Sequence, residues 1–121
     1  MFRSQGKRVA VLDTSVNHFP EAFEYQFEPD VLGHDDGAEH DYLLAGCSCL
    51  AGDVLGEYAF ERPLRIGSRV VLPDLGAYSF VKAHMFNGIN LPAVYTVGEG
   101  ATPVLRRRFH YQDFLSRFGA S

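Results

Sequence analysis

The sequence predicts an all-β domain: a barrel or sandwich of roughly seven or eight short strands with one small helix at the C-terminal end. Three observations predict it. Short apolar runs recur along the chain, each closed by Gly, Pro, Asn or Asp. Residues 24–28 alternate polar and aromatic side chains, the period of a half-buried strand. Tyr111, Phe114, Leu115 and Phe118 form a helical stripe, and Gly119 supplies its stop.

Taken in order, residues 8–13 read as a buried strand ended by Asp13-Thr14-Ser15. Pro20 suits the first position of a helical turn near 18–23. Residues 24–28 read as a strand that Pro29 ends. The stretch 33–41 is polar and turn-rich, hence a loop. Strands are expected at 42–45, running into Gly46, and at 54–60, with a turn segment over 62–68. Further strands are expected at 69–72, 77–83, 93–97 and, along an edge, 104–109. Asn87-Gly88 signals a tight turn, because both residues tolerate positive φ. The helix is expected over 111–118.

Composition narrows the function. The 121 residues suit one domain, 46% hydrophobic and 21% charged. A net charge of −4 lacks the basic field that nucleic acid requires. No apolar run reaches the length of a bilayer span, and the first residues carry no apolar signal-peptide core. Neither a membrane nor a nucleic acid is therefore an expected partner. Cys47 and Cys49, two apart, read as a reduced cytoplasmic thiol pair. Lys7 and Lys82 are the only lysines.

Some segments carry chemistry by residue type. His34, Asp35, Asp36, Glu39 and His40 are metal-ligand types, but a solvated polar loop is the commoner meaning, and no metal is expected. Arg106-Arg107-Arg108 reads as a solvated edge that discourages strand addition. Cys49 lies in a Gly-flanked turn with the Asp53 carboxylate four residues on. A thiol so placed can donate a proton or act as a nucleophile; taken alone, a buried structural cysteine is the commoner case. Cys47 is read as structural. The Tyr78 phenol, after Gly76-Ala77, can bond a phosphate oxygen or lie wet at a sheet margin. Phe86, ahead of the Asn87-Gly88 turn, can stack on a ligand or fill the core.

Together the segments resemble a known family. Cys49-Leu50-Ala51-Gly52-Asp53, then Gly76-Ala77-Tyr78, then Phe86-Asn87-Gly88 resemble the C-terminal β domain of the fold-type III PLP-dependent decarboxylases. That family includes ornithine, diaminopimelate and carboxynorspermidine decarboxylases. Ser48 through Phe60, Leu12-Asp13-Thr14-Ser15 and Tyr111-Gln112-Asp113-Phe114 are most similar to the carboxynorspermidine (carboxyspermidine) enzymes. The resemblance implies a Greek-key-type barrel or sandwich over residues 1–121, the C-terminal β domain. It implies a PLP-binding α/β barrel, absent from this chain, that carries the Schiff-base lysine and most of the pyridoxal 5'-phosphate site. It implies polyamine biosynthesis in the cytoplasm, a polyamine-precursor substrate and a second identical subunit.

Carried over residue by residue, Cys49 matches a cysteine that reaches across the dimer and returns a proton to the carbon that lost CO₂. Tyr78 matches a tyrosine that bonds the PLP phosphate. Asp53 is expected near the substrate's distal amine or the dimer contact, and Phe86 beside the substrate tail. Glu21, in His18-Phe19-Pro20-Glu21, stands where the family usually has an aspartate that binds the substrate amine. Leu50 departs from the acid that ornithine enzymes place after the cysteine. Two other readings remain: a domain of a diaminopimelate, ornithine or arginine decarboxylase, or a non-catalytic β-barrel binding module. The chain by itself is expected to be inactive, to bind no PLP covalently, and to self-associate through an uncovered apolar face.

Overall fold

The structure is a computed structural model and describes residues 1–119. The fold grows from a hairpin. Strands β1 (Phe2–Ser4) and β2 (Lys7–Val11) pair antiparallel across a turn in which Gln5 and Gly6 both have positive φ. Strand β3 (His40–Ala45) lies beside β2 in parallel, with Val9 opposite Leu43 and Val11 opposite Ala45. Strand β4 (Val54–Phe60) returns antiparallel to β3, from His40 opposite Phe60 to Leu44 opposite Gly56. The register shifts by one between Leu44 and Ala45, at the mouth of the turn that carries the cysteines. The sheet order is β1-β2-β3-β4.

One face of this sheet makes the core. Tyr42 and Leu44 alternate inward along β3, and Leu55, Tyr58 and Phe60 come from β4. The segment between β2 and β3 covers them with Val16, Phe19, Ala22 and Val31. That segment holds a 3₁₀ turn at Val16–His18 and the short helix α1 (Glu21–Glu24), which starts directly after Pro20. The Tyr58 hydroxyl donates to the Pro29 carbonyl at 2.5 Å. Burial, then the charges of Glu28 and Asp30, push its pKa up to about 12.

The second half is looser. Helix α2 (Ser79–Lys82) is one turn long. Strands β5 (Val94–Val97) and β6 (Pro103–Arg107) form a separate antiparallel pair. Arg106 Nε donates to Thr96 Oγ1 across that pair at 2.8 Å. Helix α3 (Tyr111–Leu115) runs into a 3₁₀ turn at Ser116–Phe118, and Gly119 stops it at φ 79. Asp113 fastens this end: it accepts from the His110 N–H at 2.8 Å and pairs with Arg107 at 2.6 Å. Tyr111 and Phe118 stay exposed, so only part of the helical stripe is covered.

Several expectations need correction. Among the described residues there are six strands in two open sheets and no closed barrel, and the β2–β3 pairing is parallel. Residues 24–28 are not a strand. Pro20 starts α1, the chain then turns back with Phe27 N donating to Ala22 O, and Tyr25 and Phe27 stay exposed. Residues 69–72 are irregular: Val70 and Leu72 pack on the core, and a lone backbone bond from Leu32 N to Val71 O stands in for a ladder. Residues 77–83 hold no strand: Ser79–Lys82 form α2, with Ser79 and Lys82 bonded to Glu21 and Glu24 of α1. In each case a tertiary partner overrode a weak local pattern.

Candidate active site

The site is built around one carboxylate. Asp53 closes the turn between β3 and β4 and is buried, 6% exposed. Its Oδ1 accepts from the Val16 N–H at 2.9 Å. Its Oδ2 accepts from the Ser48 N–H at 3.1 Å and from the Ser48 hydroxyl. Ser15 donates in turn to Ser48 Oγ at 3.1 Å, and its own oxygen caps the Val16–His18 turn by accepting from Asn17 N. Burial alone would raise the Asp53 pKa; the hydrogen bonds from Ser48 and Val16, with the Ser15 hydroxyl close by, outweigh it and hold the carboxyl below its ordinary value. Gly46 is required here, since a Cβ on it would collide with the Asp53 carboxylate.

This anchor presents two thiols. Cys47 and Cys49 are free and exposed on either side of buried Ser48. Cys47 N donates to Thr14 O at 2.9 Å, which ties the turn to the end of β2. Desolvation of the sulfur, then the Asp53 charge, push the Cys47 thiol up. Cys49 sits at the tip with φ 61, a left-handed conformation that costs a non-glycine residue about 1–3 kcal/mol. From the other side Asn87, itself at φ 60, donates its Nδ2 to the Ser48 carbonyl at 2.7 Å. The Phe86–Gly88 turn thus lies against the cysteine turn, and Phe86 is half exposed beside it.

Glu21 and Tyr78 form a second group. Glu21 is buried, 4% exposed, in α1. The Ser79 hydroxyl donates to its Oε1, while Oε2 has no partner among the described residues. Asn17 Nδ2 and Asn90 Oδ1 are buried and unpartnered as well. Tyr78, one residue before α2, is 60% exposed, and its ring meets Tyr25 edge-on at 6.4 Å. His18 links the segment after β2 to the chain near Asn90. Its Nδ1 faces Thr14 Oγ1 at 2.8 Å and its Nε2 faces the Asn90 carbonyl at 2.9 Å. A carbonyl only accepts, so Nε2 carries the proton and Nδ1 accepts from Thr14. Burial lowers the His18 pKa, against smaller raising effects of the Asn90 carbonyl and Asp53. An open groove of about 780 Å³, lined in part by Thr14, His18, Leu75 and Ser79, runs past this link.

So Cys49, Asp53 and Phe86 come together on one side and Glu21 and Tyr78 on another, and the Val16–His18 turn, bonded to Asp53 through the Val16 N–H, lies against helix α2 between them. Asp53 has both oxygens engaged inside the chain, which makes it an anchor for the turn. Cys49, carried here as a reactive thiol, is at the surface. Ser48, Asn87, His18 and Ser79 escaped the sequence reading. Asn87 was visible only as a turn former; the other three had no signal, because their partners are distant in sequence. The His34 loop is spent on the fold: Ala59 N donates to His34 Nδ1 at 2.9 Å, and Nε2 pairs with Asp36.

No protein-family model matches the chain. It is similar to curated proteins. It is 40% identical over 113 residues to a carboxyaminopropylagmatine decarboxylase of Synechocystis sp., covering 91% of this chain and 29% of that one. It is 37% identical over 112 residues to a carboxynorspermidine/carboxyspermidine decarboxylase of Herminiimonas arsenicoxydans, covering 92% and 30%. Among solved structures, the carboxynorspermidine decarboxylase of Campylobacter jejuni, complexed with norspermidine, superposes with a TM-score of 0.88 at 35% identity. That match covers 96% of this chain and 35% of the other. A lysine decarboxylase of Selenomonas ruminantium gives 0.58 at 27% identity over 74% of the chain. The chain spans about 30% of the length of the curated relatives it matches. No helix among the described residues is long and apolar enough to cross a membrane.

Proposed function

We propose that this chain, a homologue of part of the carboxynorspermidine and carboxyspermidine decarboxylases, is the C-terminal β domain of a PLP-dependent decarboxylase of polyamine biosynthesis. The substrate of the complete protein is a carboxylated polyamine precursor. Its partners are an α/β barrel domain elsewhere in the same polypeptide and a second identical subunit, in the cytoplasm. In that protein the two open sheets are completed into the Greek-key barrel that the resemblance implies. The observation that carries the reading is the exposed Cys49 thiol, held at a strained turn tip by a buried carboxylate within a sequence that matches these enzymes.

The residues present fit a partial share in a PLP site. Tyr78 offers an exposed phenol with no hydrogen bond among the described residues, suited to a phosphate oxygen. Lys7 and Lys82 stand in surface pairs with Glu57 and Glu24 and match no Schiff-base position of the family, so the lysine that holds the cofactor comes from the barrel. Bound PLP supplies the electron sink for the pair released with CO₂. The chain's own work is to hold a proton at Cys49 Sγ and give it to the carbon that lost CO₂. Asp53 keeps the thiol in place. Phe86 borders the substrate tail, and Glu21, with one carboxylate oxygen free, receives a substrate amine. Replacing Cys49 with Ala in the complete protein tests the reading. CO₂ release should slow, or the product should be wrongly protonated, while PLP stays bound; an unchanged rate and product would refute it.

A further inference from the structure

Ser48 is clamped on three atoms, and Asp53 accounts for two of them, the N–H and the hydroxyl. The third clamp comes from elsewhere in the chain: Asn87 Nδ2 donates to the Ser48 carbonyl at 2.7 Å. That carbonyl and the Cys49 N–H belong to one planar peptide unit. A bond that fixes the carbonyl therefore fixes the plane from which the Cys49 side chain departs. Among the described residues it is the one side-chain hydrogen bond made to this peptide. Cys49 has φ 61, a region that persists only where the surroundings over-determine it. The donor lies in the left-handed region as well: Asn87 has φ 60 and is followed by Gly88 at φ 76. The same turn presents Phe86.

We propose that Asn87 is a positioning residue for Cys49. Its amide sets the orientation of the Ser48–Cys49 peptide and ties the thiol to the aromatic of the neighbouring turn, so that proton delivery and substrate placement share one brace. The inference rests on the reading of Cys49 as the proton donor. It adds a residue that touches neither substrate nor cofactor.

Two substitutions in the complete protein test it. Asn87→Gly keeps the left-handed backbone and removes the amide. Asn87→Asp keeps the shape and sets a second acceptor against the Ser48 carbonyl. Iodoacetamide labelling of Cys49, followed by mass spectrometry of its peptide, reads the thiol directly. Both variants should change the labelling rate by about threefold or more, with Tm near that of the parent protein. Turnover should fall about tenfold or more, with KM within about twofold, since a small misplacement of a reacting group acts on kcat. If Asn87→Asp fails to fold, Asn87→Gly decides. Parent-like labelling and parent-like kcat overturn the proposal. So does a lowered Tm with unchanged labelling of the folded protein, which marks a purely structural bond. Full turnover by Cys49→Ala overturns the catalytic meaning together with the proton-donor reading. The labelling rate then still reports on the brace, so the two failures are told apart.

Discussion

At the scale of single residues, the Asp53 carboxylate is the costliest polar group to lose. Asp53→Ala leaves the Val16 and Ser48 donors buried without an acceptor and should destabilise the domain by about 2–4 kcal/mol. Its pH signature follows from the lowered pKa. The stabilisation is fully present above the unfolded carboxylate value of about 3.9 and is lost as pH falls through the lower folded value. His18 acts earlier on the same axis. The fold holds it neutral, so its share is present above about 6.5 and is lost as pH falls below that. Urea unfolding at a series of pH values should therefore show stability declining first near pH 6. His18→Asn should flatten that first decline and leave the second intact; an unchanged profile counts against this account. Part of this was readable beforehand. Cys49 and Asp53 are four apart in a Gly-flanked turn, a spacing short enough to see. The partners that give them meaning, Val16 and Asn87, lie on other elements, and no local pattern announces a hydrogen bond across 37 or 39 residues.

At the scale of elements, the strands from β2 onward are legible as apolar runs, whereas β1, a short exposed arm at Phe2–Ser4, carries no strand pattern, and two further apolar runs form no ladder. Strands β2, β3, β4, β5 and β6 fall where the apolar runs stand. The run 69–72 has the same composition but faces the core as irregular chain, since burial of Val70 and Leu72 needs no ladder. Residues 77–83 show the opposite error, where a loose alternation gave way to a helical turn fastened by Glu21 and Glu24. The β3–β4 turn is the element most exposed to test. Gly46→Ala drives a methyl into the Asp53 carboxylate and should cost about 1–3 kcal/mol, the range of an overpacked site. The same substitution should raise the pH at which the acid transition occurs, since a displaced carboxylate loses its donors. Thermal melts at neutral and acid pH check both; a melt like the parent's at each pH refutes the clash.

At the scale of the whole molecule, many large apolar side chains are left uncovered. Ile66 is 94% exposed and Val81 87%, with Phe80, Phe118 and Tyr111 also uncovered. Uncovered apolar side chains favour association where they gather into a patch. Sedimentation of the isolated chain should show concentration-dependent association, and a monomer at all concentrations would contradict this. The isolated chain should also form no borohydride-reducible adduct with PLP. A lasting aldimine needs an amine held over an anchored cofactor, and Lys7 and Lys82, in surface pairs with Glu57 and Glu24, match no such position of the family. A stoichiometric adduct on either lysine would overturn that. The parallel pairing of β2 with β3 has a kinetic consequence. These strands cannot zip from a hairpin; the intervening segment must first be closed into a loop, and that segment carries Ser15, His18 and Glu21. Closing that segment also brings its polar residues to their partners, and non-local closure is the slow kind. Substitutions at Ser15 or His18 are therefore expected to show as slower refolding in stopped-flow traces as well as altered chemistry, because these residues lie in the segment that must close before the two parallel strands pair.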